Sequence, residues 1–400
     1  MSPPVMSSSN PASPNPVVTA AQVIDALATV REPELRRPLT ELDMVRDVSV
    51  EGPNVTVEVA VKVEDDPVGH DIAEMIGATL MALPGVEGVH VVFDVMTDDD
   101  RRLLKARLRA DDSEHENSGA APQGHAVGPK VAPRFMQPDA KTRVLAITSG
   151  KGGVGKSSTT TNLAIALAAR GLHVGLLDAD VYGFSIPKML GIEQMPTVID
   201  GMVIPPVAHG VSAMSIGFMV DEDQAVIWRG PMLHKALEQF LTDVYWGEPD
   251  FLLVDMPPGT GDIALSMADY LPRAEVFVVT TPQPAAQRVA QRSALMARNP
   301  KINMVVKGVI ENMSWFSGDD GKRYEIFGAG GGAELAASLK VPLIGSIPLV
   351  PALRAGMDTG HPIMATDPDS EAGRCYAAIA EKIVTELGPT RIYKRELRIG

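Results

Sequence analysis

A phosphate-binding pattern lies near the middle of the chain. Gly150, Gly155, Lys156 and Ser157 have the spacing glycine, four residues, glycine, lysine, serine within the segment ITSGKGGVGKSSTTTNLAIALA. Glycines allow successive backbone N–H groups to turn toward an anion, and the N-terminus of a following helix adds positive potential. We therefore expect a nucleotide phosphate site formed by Gly150, Gly152, Gly153, Val154, Gly155, Lys156, Ser157 and Ser158.

Side chains in and near this loop have the types that phosphate chemistry requires. Lys156 is expected to bridge the β- and γ-phosphates of ATP, and the Ser157 hydroxyl to take one coordination place of Mg²⁺. Asp255 ends the apolar run FLLVD, and ligands of parallel sheets bind at the carboxyl ends of the strands, so we expect it in the same metal site. Asp178 ends another apolar run, and both a structural and a functional role remain open for it.

The segments around the loop indicate the elements that must position it. From Val144 onward, apolar runs alternate with helix-like segments; the runs are VLAIT, HVGLLDAD, DFLLVDM, EVFVVTT, MVVKGVI and PLIGSIPL. Runs of Val, Leu and Ile without polar alternation are typical of strands that are buried on both faces. The prediction is an α/β P-loop NTPase fold, with a mainly parallel sheet and helices on both faces.

A smaller α+β domain is predicted in front of it, at residues 17–98. AAQVIDALATV has a helical period, whereas NVTVEVAVKV alternates as a strand and pairs with VRDVSV through the turn residues EGPN. A helix near residues 70–83 and the strand VEGVHVVFDV complete this domain. We expect residues 1–16 to be a disordered tail, residues 99–141 a linker, and residues 142–390 the P-loop domain.

Composition excludes several classes of protein. A formal net charge of -14 argues against broad attraction to nucleic acid or to anionic membranes. The single cysteine, Cys375, excludes an intramolecular disulfide framework. The chain starts without the pattern of a secretion signal and has no apolar stretch long enough to span a bilayer, so a cytoplasmic location is expected.

A second lysine in the loop, Lys151, indicates which group of P-loop NTPases this chain resembles. GKGGVGKS resembles the deviant phosphate loop of the MinD, ParA and nitrogenase-iron-protein class. This resemblance implies a face-to-face homodimer in which Lys151 reaches the nucleotide of the other subunit. It also implies that Asp180, in LLDADVYG, is the switch aspartate that positions the attacking water. Gly259 and Gly261, in DMPPGTGD, are expected in a loop that senses the γ-phosphate.

Further segments resemble one family within this class. DMPPGTGD, TTPQPAA, ENMSWF, IFGAGGGAELA and PLIGSIPLVPALRAGMDTGHPI resemble the Mrp/ApbC family of iron-sulfur cluster carrier ATPases, and REPELRRPLTELDMVRDVSV resembles the domain that often precedes it. The resemblance implies slow ATP hydrolysis and action in cluster assembly or in transfer to apo iron-sulfur proteins. By the same resemblance, Asn312 reads the adenine edge and the loop from Pro348 to Pro351 packs on the base.

The chain departs from that family at the usual cluster site. Many members carry a Cys-x-x-Cys pair after ENMS, whereas this chain has Gly318 and Gly321 at those positions. A thiolate-held cluster needs about four ligands, and a homodimer of this chain offers two cysteines, both Cys375. Cys375 lies in the helix-like GRCYAAIAEKIV, where apolar packing is expected, so a chain-borne iron-sulfur cluster is doubtful.

Alternative functions share the same fold. A ParA- or MinD-like positioning switch acts on DNA or a membrane, but the charge is acidic and the end RIYKRELRIG is too short and mixed for a membrane anchor. The basic stretch within residues 101–109 is interpreted as a solvated helix or linker face. An electron-transfer ATPase would need more cysteines. Expected partners are a second copy and apo iron-sulfur proteins or assembly factors, without stable nucleic-acid or membrane binding.

Overall fold

The chain folds into two compact units, one within residues 1–115 and the other within residues 116–400. The computed structural model describes residues 18–113, 135, 140–181, 183–219, 230–259, 267, 269–300, 302 and 304–389. The predicted tail, most of the predicted linker and Gly261 lie outside these residues.

The first unit is a three-stranded sheet with helices. Its elements are α1 (Ala20–Leu27), β1 (Val45–Glu51), β2 (Asn54–Val61), α2 (Gly69–Met81), β3 (Gly88–Val95) and α3 (Asp98–Ser113). β2 lies in the middle, antiparallel to β1 and parallel to β3. The alternation seen in the sequence has a structural cause, because Val55, Val57 and Val59 all lie buried on one face of β2.

The structure differs from the predicted linker at its beginning. Residues from Asp98 onward form α3, in which Leu104 and Leu108 are buried. Leucines four positions apart lie on one side of a helix, and the many charges around them hide this short apolar stripe in the sequence. Arg107 contacts Asp43 at 3.0 Å, so α3 belongs to the first unit rather than to a linker.

The second unit contains the large sheet that the apolar runs predict. Eight strands lie in the order β15-β12-β11-β4-β10-β5-β9-β8, all parallel except β8, which is antiparallel to β9. They are β4 (Arg143–Ser149), β5 (Val174–Asp178), β8 (Val207–Ala208), β9 (Val211–Ser215), β10 (Phe251–Asp255), β11 (Glu275–Thr280), β12 (Val305–Glu311) and β15 (Leu343–Ser346). β8 and β9 were not predicted, since the small residues of VSAMS give a weak apolar signal.

Helices and two small hairpins complete this unit. The hairpin strands are β6 (Thr197–Ile199), β7 (Met202–Ile204), β13 (Phe316–Ser317) and β14 (Arg323–Tyr324). The helices are α4 (Lys156–Ala168), α5 (Ile186–Leu190), α6 (Gly230–Thr242), α7 (Pro284–Ala297), α8 (Gly331–Leu339), α9 (Pro351–Thr359), α10 (Ile363–Thr366) and α11 (Glu371–Thr385), with a 3₁₀ turn at Ile216–Met219. This is the mainly parallel α/β P-loop architecture that the sequence predicts.

Strand register places three functional segments side by side. β10 lies between β4 and β5, and Asp255 at its end is level with Ile147 on one side and Asp178 on the other. Because the strands are parallel, the loop after β4 and the carboxylates that end β5 and β10 meet at one edge of the sheet.

Candidate nucleotide-binding site

The phosphate loop requires glycine at two positions for different reasons. Gly155 has φ +81° and forms the N-cap of α4, and a Cβ atom there would overlap the side-chain amide of Asn312. A Cβ atom at Gly150 would overlap the backbone of α7 at Ala290. Gly153 also has φ +78°. The loop is therefore held by α7 from one side and by Asn312 from the other.

Lys156, Ser157 and Thr160 converge on the carboxylate of Asp255. The Lys156 ammonium lies 2.6 Å from Asp255 Oδ2, which also accepts a hydrogen bond from Ser157 Oγ at 2.6 Å. Thr160 Oγ1 donates to the other oxygen of Asp255 at 2.8 Å. Asp180 completes the cluster, with its Oδ2 3.4 Å from Lys156 Nζ. Burial raises the pKa of Asp180, and the charge of Lys156 opposes this effect.

Asp178 is the anchor of the segment that carries Asp180. Its Oδ2 accepts from the backbone N–H groups of Ser185 and Ile186 at 3.1 and 3.2 Å and from Ser215 Oγ at 3.0 Å. Its Oδ1 accepts from the backbone N–H of Asp180 at 3.1 Å. Burial, together with the neighbouring charge of Asp255, raises the pKa of Asp178 to about 7. The carboxylate thus joins the end of β5 to the start of α5.

Lys151 lies beside the loop and contacts α7. Its Nζ donates to Gln283 Oε1 at 3.4 Å, and its backbone carbonyl accepts from Ser149 Oγ at 3.0 Å. Lys151 is only partly buried, unlike Lys156, which is 6% exposed. The two lysines therefore face different surroundings: Lys156 lies among carboxylates, and Lys151 lies at the rim of the loop.

The structure brings most predicted site residues together and adds others. Asn312 is buried, and its Nδ2 donates to the carbonyl of Val154 at 2.9 Å, so it braces the loop; contact with adenine remains a prediction. Pro348 is buried just before α9 and its contact with the base is likewise a prediction. Sequence reasoning missed Thr160, although it lies one helical turn after Lys156 and so on the same side of α4. It also missed Gln283, for which the sequence has no comparable signal.

Comparison with known proteins decides the family. A family profile described as NUBPL iron-transfer P-loop NTPase matches residues 140–384. The chain belongs to the iron-transfer P-loop NTPase family. A second profile, described as iron-sulfur cluster assembly protein, matches residues 20–91. The family resemblance inferred from the sequence motifs is thereby confirmed for both parts of the chain.

Relatives of this iron-transfer P-loop NTPase are similar over nearly their whole length. An iron-sulfur cluster carrier protein of Mycobacterium leprae (strain TN) is 46% identical over 366 residues, covering 90% of this chain and 91% of the relative. One of Bacillus subtilis (strain 168) is 38% identical over 375 residues, covering 90% and 96%. A solved nucleotide-binding protein of Archaeoglobus fulgidus, in complex with ADP, is 35% identical with a TM-score of 0.51, covering 60% of this chain and 92% of its own.

The position at which the sequence resemblance implies a cysteine pair is a closed hairpin in this iron-transfer P-loop NTPase. Gly318 and Gly321 form the turn between β13 and β14, and the Gly321 N–H donates to the Gly318 carbonyl at 2.9 Å. Cys375 lies in α11, half-buried against the apolar core, and burial raises the pKa of its thiol. Within the described residues, no group of three or more histidine, cysteine or acidic side chains is arranged to hold a metal ion.

No helix within the described part of this family member is long and apolar enough to cross a membrane.

Proposed function

We propose that this chain binds ATP at the phosphate loop and hydrolyses it slowly. The observation that supports this is the convergence of Lys156, Ser157 and Thr160 on Asp255 directly behind the glycine loop. Backbone N–H groups of the loop would hold the phosphates, and Lys156 would exchange its carboxylate partner for phosphate oxygens. Asp180, in the strand-end segment beside it, would orient the attacking water.

The oxygen donors of the site fit a magnesium ion. Ser157 Oγ and Asp255 Oδ2 are 2.6 Å apart, and both are hard oxygen donors of the kind that Mg²⁺ prefers. Ser157 and Asp255 are the residues that would hold the ion. A bound Mg²⁺ would supply positive charge against the β- and γ-phosphates.

Lys151 supports a working form that is a homodimer. The ammonium group lies at the rim of the loop, and its side-chain contact with Gln283 is long, at 3.4 Å, so it can leave that partner at little cost. In a face-to-face dimer it would approach the nucleotide of the other subunit and supply the positive charge that an arginine finger supplies in other NTPases.

The cellular role that we propose is assembly of iron-sulfur clusters or their transfer to apo iron-sulfur proteins. It rests on the family and on the relatives, which are named iron-sulfur cluster carrier proteins. The cluster would be cargo taken from or passed to a partner protein. Thiolates are the preferred cluster ligands, and the hairpin at residues 316–324 offers oxygen donors in their place.

One set of variants tests the proposal with two readouts, steady-state ATP hydrolysis and ATP-dependent activation of an apo iron-sulfur protein. Lys156→Ala should lose ATP binding, because the phosphates lose their main point charge. Asp180→Ala and Lys151→Ala should bind ATP but hydrolyse it at least about tenfold more slowly, a barrier increase of about 1.4 kcal/mol. Cys375→Ser is the matched control and should preserve both readouts.

Each arm has an outcome that contradicts the proposal. Undiminished ATP affinity in Lys156→Ala would remove the phosphate-loop assignment. Normal apoprotein activation by Lys156→Ala would show that the iron-sulfur role does not depend on ATP. Loss of activation in Cys375→Ser would show that this chain's single thiol binds the cluster.

A further inference from the structure

The two outer strands of the three-stranded sheet in the first unit differ in how their edges are protected. β1 has an irregular register between Val45 and Asp47 and exposes charged side chains at Arg46, Asp47 and Glu51. Bulges and charges of this kind prevent an edge strand from pairing with another chain. β3 pairs with β2 without interruption over eight residue pairs, and no other strand among the described residues pairs with it.

β3 has less of the usual protection of an edge strand than β1, with Asp94 near its end as its one acidic side chain. Its sequence, GVHVVFDV, contains neither proline nor lysine. Val92, Phe93 and Val95 are large apolar side chains that remain 41%, 40% and 38% exposed. An edge of this length and composition is a surface on which another strand pairs favourably.

Hydrogen bonds at both ends of β3 fix which backbone groups face outward. The Met96 N–H donates to the Val61 carbonyl at 2.9 Å, and the Gly88 N–H to the Pro53 carbonyl at 3.3 Å, both toward β2. Backbone groups alternate in direction along a strand, so the odd-numbered positions from Val89 to Val95 point to the open edge.

We propose that β3 is a dimerisation edge, on which β3 of a second copy of this chain pairs antiparallel around a twofold axis through Val92. In this arrangement the outward-facing Val91 and Phe93 form hydrogen-bonded pairs with Phe93 and Val91 of the second copy. His90 then lies opposite Asp94 of the second copy, and Asp94 lies opposite its His90. Both side chains are exposed, so an imidazole N–H of His90 can donate to the Asp94 carboxylate of the second copy, twice across the contact.

The pairing of His90 with Asp94 selects this register. Only even shifts keep outward-facing groups opposite one another. A shift by two in either direction places His90 opposite Val92 or Met96 and loses both His90–Asp94 hydrogen bonds. At the end of the strand the Val95 N–H already donates to Asp94 Oδ1 at 2.9 Å. The backbone hydrogen bonds between the two copies are therefore those of the Val91 and Phe93 pairs at the centre of the strand.

This contact differs from the proposed ATP-dependent dimer, because it lies in the first unit and needs no nucleotide. The two are separated by working with the full chain in chelator, without nucleotide, and by repeating each measurement with Lys156→Ala. A β3 dimer must persist in both conditions.

Cross-linking at the twofold axis is the direct test. Residues opposite each other at a non-hydrogen-bonded pair have Cα atoms about 4.5 Å apart, within the range of a disulfide. Val92→Cys in a Cys375→Ser background, oxidised with diamide, should give a covalent dimer at least about tenfold faster than Ser49→Cys in the same background. Ser49 is the matched control, since it is exposed on β1 at the opposite edge of the same sheet. Equal rates would overturn the proposal.

Replacing the paired side chains His90 and Asp94 tests the register without a cysteine. Asp94→Lys should weaken dimerisation about tenfold in sedimentation equilibrium, because a lysine would lie opposite His90 of the second copy. Adding His90→Glu should restore the affinity, since a carboxylate then lies opposite the lysine at each of the two positions. A monomeric wild-type chain, or a double variant as weak as Asp94→Lys alone, would refute this interface.

Discussion

Replacing Asp178 by asparagine should impair hydrolysis while leaving the fold nearly intact. The two carboxylate oxygens have separate tasks: Oδ2 accepts from Ser185, Ile186 and Ser215, and Oδ1 accepts from the backbone N–H of Asp180. Asparagine keeps one acceptor oxygen. It is expected to face the side with three donors, which leaves the amide NH₂ group against the Asp180 N–H.

The expected change in the free energy of unfolding depends on how many donors each variant leaves without an acceptor. Asp178→Asn loses one hydrogen bond to a charged acceptor, which is worth about 1.5–3 kcal/mol. It also removes a buried carboxyl group whose pKa is raised to about 7 by burial and by the charge of Asp255. These effects oppose each other, so we expect a free energy of unfolding within about 1 kcal/mol of the wild type. Asp178→Ala leaves all four donors without their acceptor, so it should destabilise by about 4 kcal/mol or more.

The assay compares denaturant unfolding with single-turnover ATP hydrolysis at saturating Mg-ATP. Asp178→Asn should unfold near the wild type but hydrolyse at least about tenfold more slowly, because the segment carrying Asp180 loses its anchor. Ser215→Ala is the control, since it removes one donor and leaves the Asp180 contact in place. Wild-type hydrolysis by a stable Asp178→Asn variant would refute the positioning role and leave Asp178 a structural residue.

Two further predictions concern the loop and the first unit. Gly155→Ala should lower ATP affinity more than tenfold, since its Cβ atom would overlap Asn312, whereas Gly171→Ala, with a similar φ of +79° and open space around it, should not change ATP affinity. In the first unit, burial raises the pKa of Glu34 from 4.5 to about 7, although Lys62 opposes this effect. Between pH 4.5 and about 7, Glu34 is therefore protonated in the folded chain and ionised in the unfolded chain. Its contribution to the free energy of unfolding is fully present below pH 4.5 and is lost as the pH rises through about 7. Urea unfolding at pH 5 and pH 7.5 should show this loss in the wild type and a smaller one in Glu34→Gln; equal losses would contradict it.

Local sequence patterns predict the parts of the site that are continuous in the chain. The phosphate loop, the strand before it and the helix after it follow from glycine spacing and apolar runs within residues 144–170. The strand-end carboxylates also follow, because ligands of parallel sheets bind where the strands end, and an aspartate that closes a buried apolar run lies at that edge.

Contacts that depend on which strands are neighbours could not be predicted from the sequence. Asp178 becomes an anchor because β9 lies beside β5 and brings Ser215 within 3.0 Å, and β9 was itself not predicted. Asn312 braces Val154 across 158 positions of the chain, and Gln283 meets Lys151 across 132. Such pairs are fixed by which strands are neighbours, which a single sequence does not state.

The hairpin that replaces the cysteine pair is organised around other contacts. Glu371, at the start of α11, accepts hydrogen bonds from Trp315 Nε1 at 3.0 Å, Ser317 Oγ at 2.7 Å and Arg323 Nη2 at 3.0 Å. These donors, Ser317 above all, hold the pKa of Glu371 below its usual range, so it stays charged. The Arg323 guanidinium also stacks 4.2 Å from the centre of the Trp315 ring.

The two glycines of this hairpin resist replacement by cysteine for different reasons, close side chains at Gly318 and backbone conformation at Gly321. A Cβ atom at Gly318 would lie 2.7 Å from the ring of Tyr324 and 2.9 Å from an oxygen of Asp320, and Gly321 has φ +73°. A cysteine pair at these two positions would therefore require Tyr324 and Asp320 to move and a strained backbone at residue 321. Glu371 fixes the hairpin to α11, and α11 packs on α4 behind the phosphate loop, so under the proposed function a nucleotide-driven shift of α4 would pass to the hairpin through α11. Under the proposed function, the hairpin then acts on partners through its position rather than through ligation.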